Sequence, residues 1–195
     1  DHIYKMDYAK MMRKHNKNKA DCTIAVLDVP LEEASRFGIM NVNEDGVIYE
    51  FEEKPKHPKS TKASMGIYVF RWEVLKKYLI EDNEDPNSSN DFGKNIIPKL
   101  IDDGHTLYSY DFEGYWKDVG TIESLWQSNM DILGENPELD MKDPKTKIYA
   151  RNYSNPSSFV SGKAEIVNSY IAEGSCVYGK VHNSIISTGC VIEEG

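Results

Sequence analysis

The 195-residue chain has the composition of a folded and acidic protein. Hydrophobic residues make up 39% of it and charged residues 28%, and 32 Asp and Glu against 23 Lys and Arg give a formal charge of −9. These values argue against a disordered chain and against a general nucleic-acid binder, which would carry a basic excess. No apolar stretch approaches the roughly 18 residues of a membrane span, and the first residues lack the pattern of a signal peptide.

Three scattered cysteines, Cys22, Cys176 and Cys190, predict neither a disulfide framework nor a zinc site. Because a reducing compartment is then the default, we expect a cytoplasmic protein. The chain begins at Asp1 without a Met and stops at Gly195 within a repeated pattern. We therefore expect the sequence to be cut at both ends.

The first predicted element is an amphipathic helix. Its apolar residues recur at the spacing of one helical face, and basic residues fill much of the remainder. We interpret the basic surface as solvated rather than as a nucleic-acid site. The apolar face consists of Tyr4, Tyr8, Met11 and Met12.

Strands and helices alternate over the following hundred or so residues, which predicts an α/β layer fold. The run Cys22–Val29 is nearly all apolar and rich in β-branched residues, as is typical of a strand buried on both faces in a parallel sheet. An Asp-Gly turn at Gly46 predicts a hairpin. Asp91 is a plausible N-cap and Gly104 a stop for one helix. The remaining predictions are strands at 39–42, 47–51, 63–70 and 106–112 and helices at 72–80, 91–103 and 121–133.

The end of the chain contains a repeat. Residues 168–177 align with residues 183–192 at an offset of 15. A regularly recurring aliphatic residue with a Gly at the turn is typical of β-helix coils, and stacked hairpins remain the alternative. We therefore divide the chain into an α/β domain at 1–135, a linker at 136–162 and the first β-helix coils at 163–195.

Four polar segments, at 1–7, 51–55, 64–68 and 115–121, could carry chemistry. Each also has a structural explanation, because acids cap helices and a Gly within a strand marks close backbone approach. Together they supply two carboxylates suited to Mg²⁺, a Lys for a phosphate, and polar partners for sugar hydroxyls. These residues are Asp1 and Asp118, Lys54, and Glu53 with Ser64.

Other catalytic patterns are not found. The sequence shows no Ser/His/Asp or Cys/His arrangement and no metal-ligand spacing of its histidines. Asp91-Phe92-Gly93 spells the metal-binding triplet of protein kinases, but no catalytic-loop motif or Gly-rich loop accompanies it. We therefore discard the kinase interpretation.

These segments resemble the bacterial glucose-1-phosphate adenylyltransferases, a branch of the sugar-1-phosphate nucleotidyltransferases. The resemblance covers essentially the whole chain, and its six motifs occur in the family's order. The motifs lie at 1–8, 36–40, 51–55, 63–70, 91–98 and 115–121.

The resemblance implies a role for particular residues. Asp1 and Asp118 would hold a catalytic Mg²⁺, and Lys54 would bind the phosphate of glucose 1-phosphate. Lys117 stands where some members of the family have Arg, which keeps the charge. Glucose would be held by Glu53 and Ser64, in a pocket lined by Tyr68, Asp91, Phe92 and Trp116. Gly38, which has no Cβ, would let the backbone approach the substrate.

The resemblance also implies the fold and the partners. It predicts the C-terminal half of a Rossmann-like nucleotide-diphospho-sugar transferase domain followed by the start of a left-handed parallel β-helix. The partners would be glucose 1-phosphate, ATP and ADP-glucose, in a homotetramer or a hetero-oligomer with a paralogous subunit. The family's Gly-rich loop for the ATP phosphates is missing from this sequence, so we expect the chain alone to be inactive.

Alternatives remain open. The nucleotide could be UTP, dTTP or GTP, because base choice depends mainly on the missing segment. A non-catalytic regulatory subunit would lose active-site acids and Lys, whereas this sequence keeps Asp1, Lys54 and Asp118. A β-helix acyltransferase would need a longer array with a catalytic His, and only His182 lies in the repeat.

Overall fold

The computed structural model describes residues 1–151 and 154–195. The chain forms two compact units, one from Met6 to Glu113 and one that joins Asp1–Lys5 to Gly114–Gly195. The predicted linker includes Asn152 and Tyr153, which lie outside the described residues. Within the described ranges, no helix has the length and apolar character needed to cross a membrane.

The described strands and helices follow in chain order. The strands are β1 (His2–Tyr4), β2 (Cys22–Asp28), β3 (Gly38–Val42), β4 (Ile48–Glu53), β5 (Lys62–Phe70), β6 (Leu107–Asp111), β7 (Trp116–Asp118), β8 (Phe159–Val160), β9 (Glu165–Val167), β10 (Tyr170–Ile171), β11 (Cys176–Val177), β12 (Lys180–His182), β13 (Ile185–Ile186) and β14 (Val191–Ile192). The helices are α1 (Tyr8–Asn18), α2 (Leu31–Ala34), α3 (Trp72–Glu84), α4 (Ile97–Asp102) and α5 (Ile122–Met130).

A five-stranded mixed sheet organises the Met6–Glu113 unit, in the order β4-β3-β5-β2-β6. The predicted hairpin is confirmed, since β3 and β4 pair antiparallel. Strand β2 is parallel to β6 but antiparallel to β5. The expectation that β2 lies in a parallel sheet is therefore wrong, because the sheet is mixed. Burial on both faces produces the same apolar run whichever way the neighbouring strands point, so the sequence pattern cannot give strand direction.

The core of this unit lies on both faces of the sheet. Ile24 and Val26 on β2 pack in one cluster with Tyr78 from α3 and Leu100 from α4. Ile39 belongs to a smaller cluster with Ala34 and Ala63. The interior residues of β2 are fully buried, as the sequence predicts for a central strand.

The first helix begins later than its apolar spacing predicts. Asp7 has an extended backbone, and its carboxylate accepts a hydrogen bond of 3.0 Å from the backbone N–H of Ala9. This N-cap fixes the start of α1 at Tyr8. Tyr4 therefore lies in strand β1, opposite Trp116, and the prediction that it shares the helix is wrong.

The helix predicted at 91–103 has two parts. Asp91 is its N-cap, as expected, and Phe92–Ile96 form a π-helical turn before α4. Pro98 lies in the first turn of α4 and has no N–H to donate. The N–H of Ile97 instead donates to the carbonyl of Phe92, which widens the turn.

The repeat forms short parallel ladders in the unit that contains Gly114–Gly195. Tyr170 pairs with Ile185 and Cys176 with Val191, at the repeat offset read from the sequence. Asn168 and Asn183 both have positive φ, and the amide of Asn168 donates to the side-chain oxygen of Asn183 at 2.8 Å. Strand β8, which lies in the segment predicted as a linker, also pairs parallel with β11. The predicted domain limits at 135 and 162 remain predictions.

Candidate functional site

The open end of the β3–β4 hairpin places a carboxylate and a lysine together. Gly38 pairs with Glu53 across the hairpin. A Cβ at Gly38 would lie 2.6 Å from Cζ of Phe51 and 3.2 Å from Oε2 of Glu53, so no larger residue fits without moving that ring. Gly38 therefore lets the Phe51 ring and the Glu53 carboxylate lie directly against the β3 backbone.

Lys54 directly follows strand β4 and has a left-handed backbone conformation with φ of 49°. Its N–H donates to the carbonyl of Phe37 at 3.1 Å, which fixes the turn although the conformation is unfavourable for a non-glycine residue. The Nζ atom of Lys54 lies 3.8 Å from Oε1 of Glu53, and the side chain is 65% exposed. The ammonium group is therefore accessible to an anion.

Strand β5 carries Ser64 and Tyr68 on the two sides of a bulge. Val26 pairs with Ser64 and Ile24 with Tyr68, so β5 holds two more residues than β2 over this stretch. Gly66 in the bulge has φ of 68° and donates its N–H to Oγ of Ser64 at 3.2 Å. The bulge is the reason for a glycine within this strand.

Tyr68 belongs to an aromatic cluster with Phe70 and Phe92. The rings of Tyr68 and Phe92 stack with centroids 5.5 Å apart. Burial raises the pKa of the Tyr68 phenol, and a hydrogen bond with Ser64 only partly opposes that shift. The phenol therefore stays protonated at neutral pH and can donate a hydrogen bond.

Asp91 and Gly93 connect this cluster to Glu53. One oxygen of Asp91 accepts the N–H groups of Gly93 at 2.8 Å and Lys94 at 2.9 Å. A Cβ at Gly93 would lie 2.9 Å from Oε2 of Glu53. Contacts thus join the predicted sugar-phosphate residues of this unit, which are Gly38, Glu53, Lys54, Ser64, Tyr68, Asp91 and Phe92.

The other three predicted residues, Asp1, Trp116 and Asp118, lie in the unit that contains Gly114–Gly195. Antiparallel pairing of β1 with β7 sets His2 opposite Asp118. The N–H of Val119 donates to the carbonyl of Asp1 at 2.7 Å, and the Asp118 side chain is 32% exposed. The His2 ring meets the Trp116 ring edge-on at 5.1 Å.

Asp1 and Asp118 carry carboxylates, the oxygen donors that hard divalent cations prefer. Strand pairing makes the two residues neighbours, and the Asp118 carboxylate remains partly open to solvent. Among the described residues, no group of three or more His, Cys, Asp or Glu could hold a metal ion. Two carboxylates would leave coordination positions for water and phosphate oxygens, as Mg²⁺ commonly requires in phosphoryl chemistry.

Sequence reasoning missed two contacts at these sites. Gly93 belongs to a kinase-like triplet and to one motif of the resemblance but is assigned no role in the sequence analysis, although a glycine at this position is what makes room for Glu53. The resemblance gives Lys117 a charge that some members of the family supply with Arg, and the structure pairs its ammonium with Asp131, whose side chain is 3% exposed. The aspartate that follows α5 gave no signal of this pairing in the sequence.

Comparison with known proteins places the chain in a family. The model of the family described as nucleotidyl transferase matches residues 1–135. Proteins named glucose-1-phosphate adenylyltransferase are similar to it: one from Clostridium perfringens (strain SM101 / Type A) is 60% identical over 195 residues, and one from Acetivibrio thermocellus is 51% identical over 195 residues. These matches cover 100% of this chain but 50% and 46% of the relatives, so the chain spans about half their length. The chain belongs to the nucleotidyl transferase family.

Proposed function

We propose that this chain is part of a glucose-1-phosphate adenylyltransferase, which converts ATP and α-D-glucose 1-phosphate to ADP-glucose and diphosphate in glycogen synthesis. The observation that carries the proposal is the accessible ammonium of Lys54 beside Glu53 at the end of the β3–β4 hairpin. The names of relatives that are 51% to 60% identical over the whole chain support the same activity.

In this reaction, a phosphate oxygen of glucose 1-phosphate attacks the α-phosphorus of ATP. A new P–O bond forms there while the bond to the β-phosphate breaks and diphosphate leaves. Both reactants are anions, so the protein has to align them and reduce their repulsion. Lys54 offsets the charge of the sugar phosphate.

The other predicted site residues of the Met6–Glu113 unit recognise the sugar. The Glu53 carboxylate accepts hydrogen bonds from glucose hydroxyls, and the Ser64 hydroxyl can donate or accept. One oxygen of Asp91 is already occupied by the helix cap, which leaves its second oxygen for the ligand. The pocket is lined by Gly38, Tyr68, Asp91 and Phe92, and the resemblance alone adds Trp116.

Asp1 and Asp118 would hold Mg²⁺. When bound, the cation neutralises charge that develops on the phosphate oxygens. The chain's own contribution is to bring the backbones of these two residues together, because β1 pairs with β7 and the N–H of Val119 donates to the carbonyl of Asp1 at 2.7 Å. Removal of either carboxylate should therefore weaken metal binding more than folding.

Finer features of the fold and assembly belong to the same proposal. The parallel ladders are the first coils of a left-handed β-helix, after a catalytic half-domain at 1–135 and a linker at 136–162. We also propose a cytoplasmic enzyme that assembles as a homotetramer or with a paralogous subunit. The repeat offset of the ladders supports the β-helix.

The test is diphosphate release by the natural gene product that carries this sequence. Mg²⁺ and glucose 1-phosphate are supplied with ATP, UTP, dTTP or GTP in separate assays, and the Asp118→Asn variant is the control. Release with ATP alone, abolished in the variant, is expected. Release with another nucleotide would identify a different sugar nucleotidyltransferase, and no release from folded protein would favour a regulatory subunit.

A further inference from the structure

A buried carboxylate outside the proposed catalytic set lies behind strand β7. Asp131 follows helix α5, and its side chain is 3% exposed. Its Oδ2 accepts hydrogen bonds from the Lys117 ammonium and, at 2.8 Å, from the Tyr115 hydroxyl. Its Oδ1 accepts the Gln127 amide at 2.9 Å. Both oxygens are thus satisfied, as a buried charge requires.

This carboxylate joins β7 to α5. Tyr115 immediately precedes β7 and Lys117 is its middle residue, whereas Gln127 lies within α5. The N–H of Asp131 also donates to the carbonyl of Gln127 at 2.9 Å, which fixes Asp131 to the end of the helix. Asp131 therefore binds Lys117 within the short strand and Tyr115 just before it. The helix from which it does so has its own N-cap at Thr121.

Strand β7 needs such an anchor because it has little support of its own. It has three residues and, within the part of the chain that the structure describes, β1 is its one pairing partner, in a two-stranded sheet. Isolated two-stranded ribbons are marginally stable. Successive side chains of a strand point to opposite faces, so Lys117 and Asp118 lie on opposite sides of β7. Asp131 therefore holds the strand from the face that Asp118 does not use.

We propose that Asp131 is a positioning residue for Asp118. By binding Lys117 and Tyr115, it fixes β7 so that the Asp118 carboxylate is held in place for a divalent cation. This inference rests on the proposed metal role of Asp118. Groups that orient metal ligands from behind typically change metal affinity by about 10-fold to 100-fold when they are removed.

The experiment measures Mn²⁺ binding to the natural gene product without substrates, from the electron paramagnetic resonance signal of free Mn²⁺. Four proteins are compared: the unmodified protein, Asp118→Asn, Asp131→Asn and Asp21→Asn. Asp21→Asn is the matched control, because Asp21 is also an ion-paired carboxylate of low exposure but lies in the other unit. The Mg²⁺ concentration for half-maximal rate and the KM for glucose 1-phosphate are then measured.

Asp131→Asn is expected to raise the Mn²⁺ dissociation constant and the Mg²⁺ requirement about 10-fold or more, while the KM for glucose 1-phosphate changes less than about twofold. Asp21→Asn should leave both metal values unchanged. Unchanged Mn²⁺ binding in Asp131→Asn, with binding lost in Asp118→Asn, would overturn the positioning role alone. Unchanged binding in Asp118→Asn would overturn both this inference and the proposed metal role.

Two further variants keep the test decisive if Asp131→Asn does not fold. Lys117→Gln removes the same ion pair from the strand side and should weaken Mn²⁺ binding in the same direction. Lys117→Arg keeps the charge and should retain Mn²⁺ binding within about threefold of the unmodified protein. Equal Mn²⁺ affinity in Lys117→Gln and Lys117→Arg would contradict the proposal.

Discussion

Gly93 makes room for the Glu53 carboxylate. Adding one methyl group there, as Gly93→Ala does, should therefore move that carboxylate. A Cβ at Gly93 would lie 2.9 Å from Oε2 of Glu53 and 3.1 Å from Cζ of Phe51. Ala is favoured over Gly in a helix by about 1 kcal/mol, so helix propensity alone predicts a stabilised protein. We expect Gly93→Ala to displace Glu53 and to raise the KM for glucose 1-phosphate about 10-fold, as steady-state kinetics would measure.

Gly162→Ala is the control for this change. Apart from its two chain neighbours, no atom of the described residues lies within 4 Å of a Cβ at Gly162, so the same methyl group should leave the kinetics unaffected. The KM for ATP should also stay constant in Gly93→Ala. An unchanged KM for glucose 1-phosphate in Gly93→Ala would show that the Glu53 carboxylate does not contact the sugar.

Lys54 gives a second prediction at the residue scale. Its side chain is 65% exposed and its Nζ lies 3.8 Å from Oε1 of Glu53, so the ammonium group is available to a phosphate. A hydrogen bond to a charged group contributes about 1.5–3 kcal/mol, which corresponds to about 10-fold to 100-fold in binding. Lys54→Ala should raise the KM for glucose 1-phosphate by that factor and the KM for ATP much less.

Lys56→Ala is the matched control, because Lys56 lies in the same loop and is also exposed. Lys56→Ala removes one positive charge from the loop, so it measures how far general charge attraction affects binding. Because solvent and salt screen an exposed charge, the KM for glucose 1-phosphate should change less than about twofold. If Lys54→Ala affected the two substrates equally, Lys54 would not be specific to the sugar phosphate.

At the scale of elements, Asp21 joins the start of β2 to its neighbours. Its carboxylate contacts the Arg71 guanidinium at 3.0 Å and Nδ1 of His105 at 3.1 Å, and it accepts the N–H of Thr106 at 3.0 Å. Burial alone would raise the pKa of Asp21, but these hydrogen bonds and the Arg71 charge lower it below the ordinary value. The ionised form therefore stabilises the fold.

The expected pH dependence follows from this lowered pKa. The contribution of Asp21 is complete above its unfolded pKa of about 3.9, and it is lost as the pH falls through the lower folded value. Asp21→Asn should cost about 1–3 kcal/mol at pH 7 and progressively less below about pH 4. Urea unfolding followed by pulsed hydrogen exchange of β2 would measure the difference, and a constant difference from pH 7 to pH 3 would rule out the carboxylate charge as its source.

Local patterns in the sequence predicted most helices and strands. The features that they did not predict depend on contacts between residues far apart in the chain. Asp91 was predicted as an N-cap from its position alone, because capping depends on neighbours within three residues. Tyr4 was misplaced because its spacing suits a helix, whereas the N-cap Asp7 makes the helix begin only at Tyr8. The antiparallel direction of β5 and the pairing of Lys117 with Asp131 depend on the folded chain, and no local pattern encodes them.

At the scale of the whole molecule, the predicted residues fall into two groups. Those assigned to the phosphate and glucose lie in the Met6–Glu113 unit, apart from Trp116, and the carboxylates assigned to the metal lie in the unit with Gly114–Gly195. A ligand stabilises the conformations that bind it. The hydrogen exchange of the amides in each region reports how often that region opens locally. Each ligand should therefore protect a different part of the chain.

Hydrogen exchange of the natural gene product, measured peptide by peptide, tests this division. Glucose 1-phosphate without metal or nucleotide, at about 100 times its dissociation constant, should slow exchange up to about 100-fold in β3, β4 and the bulge of β5. The amides of β1 and β7 should be unaffected, and Asp118→Asn should leave the protection intact. Galactose 1-phosphate, which differs at one hydroxyl, should protect less if Glu53 and Ser64 recognise the sugar. Equal protection by both sugars would mean that the site recognises only the phosphate, through Lys54. Protection confined to β1 and β7 would contradict the assignment of the sugar phosphate to the Met6–Glu113 unit.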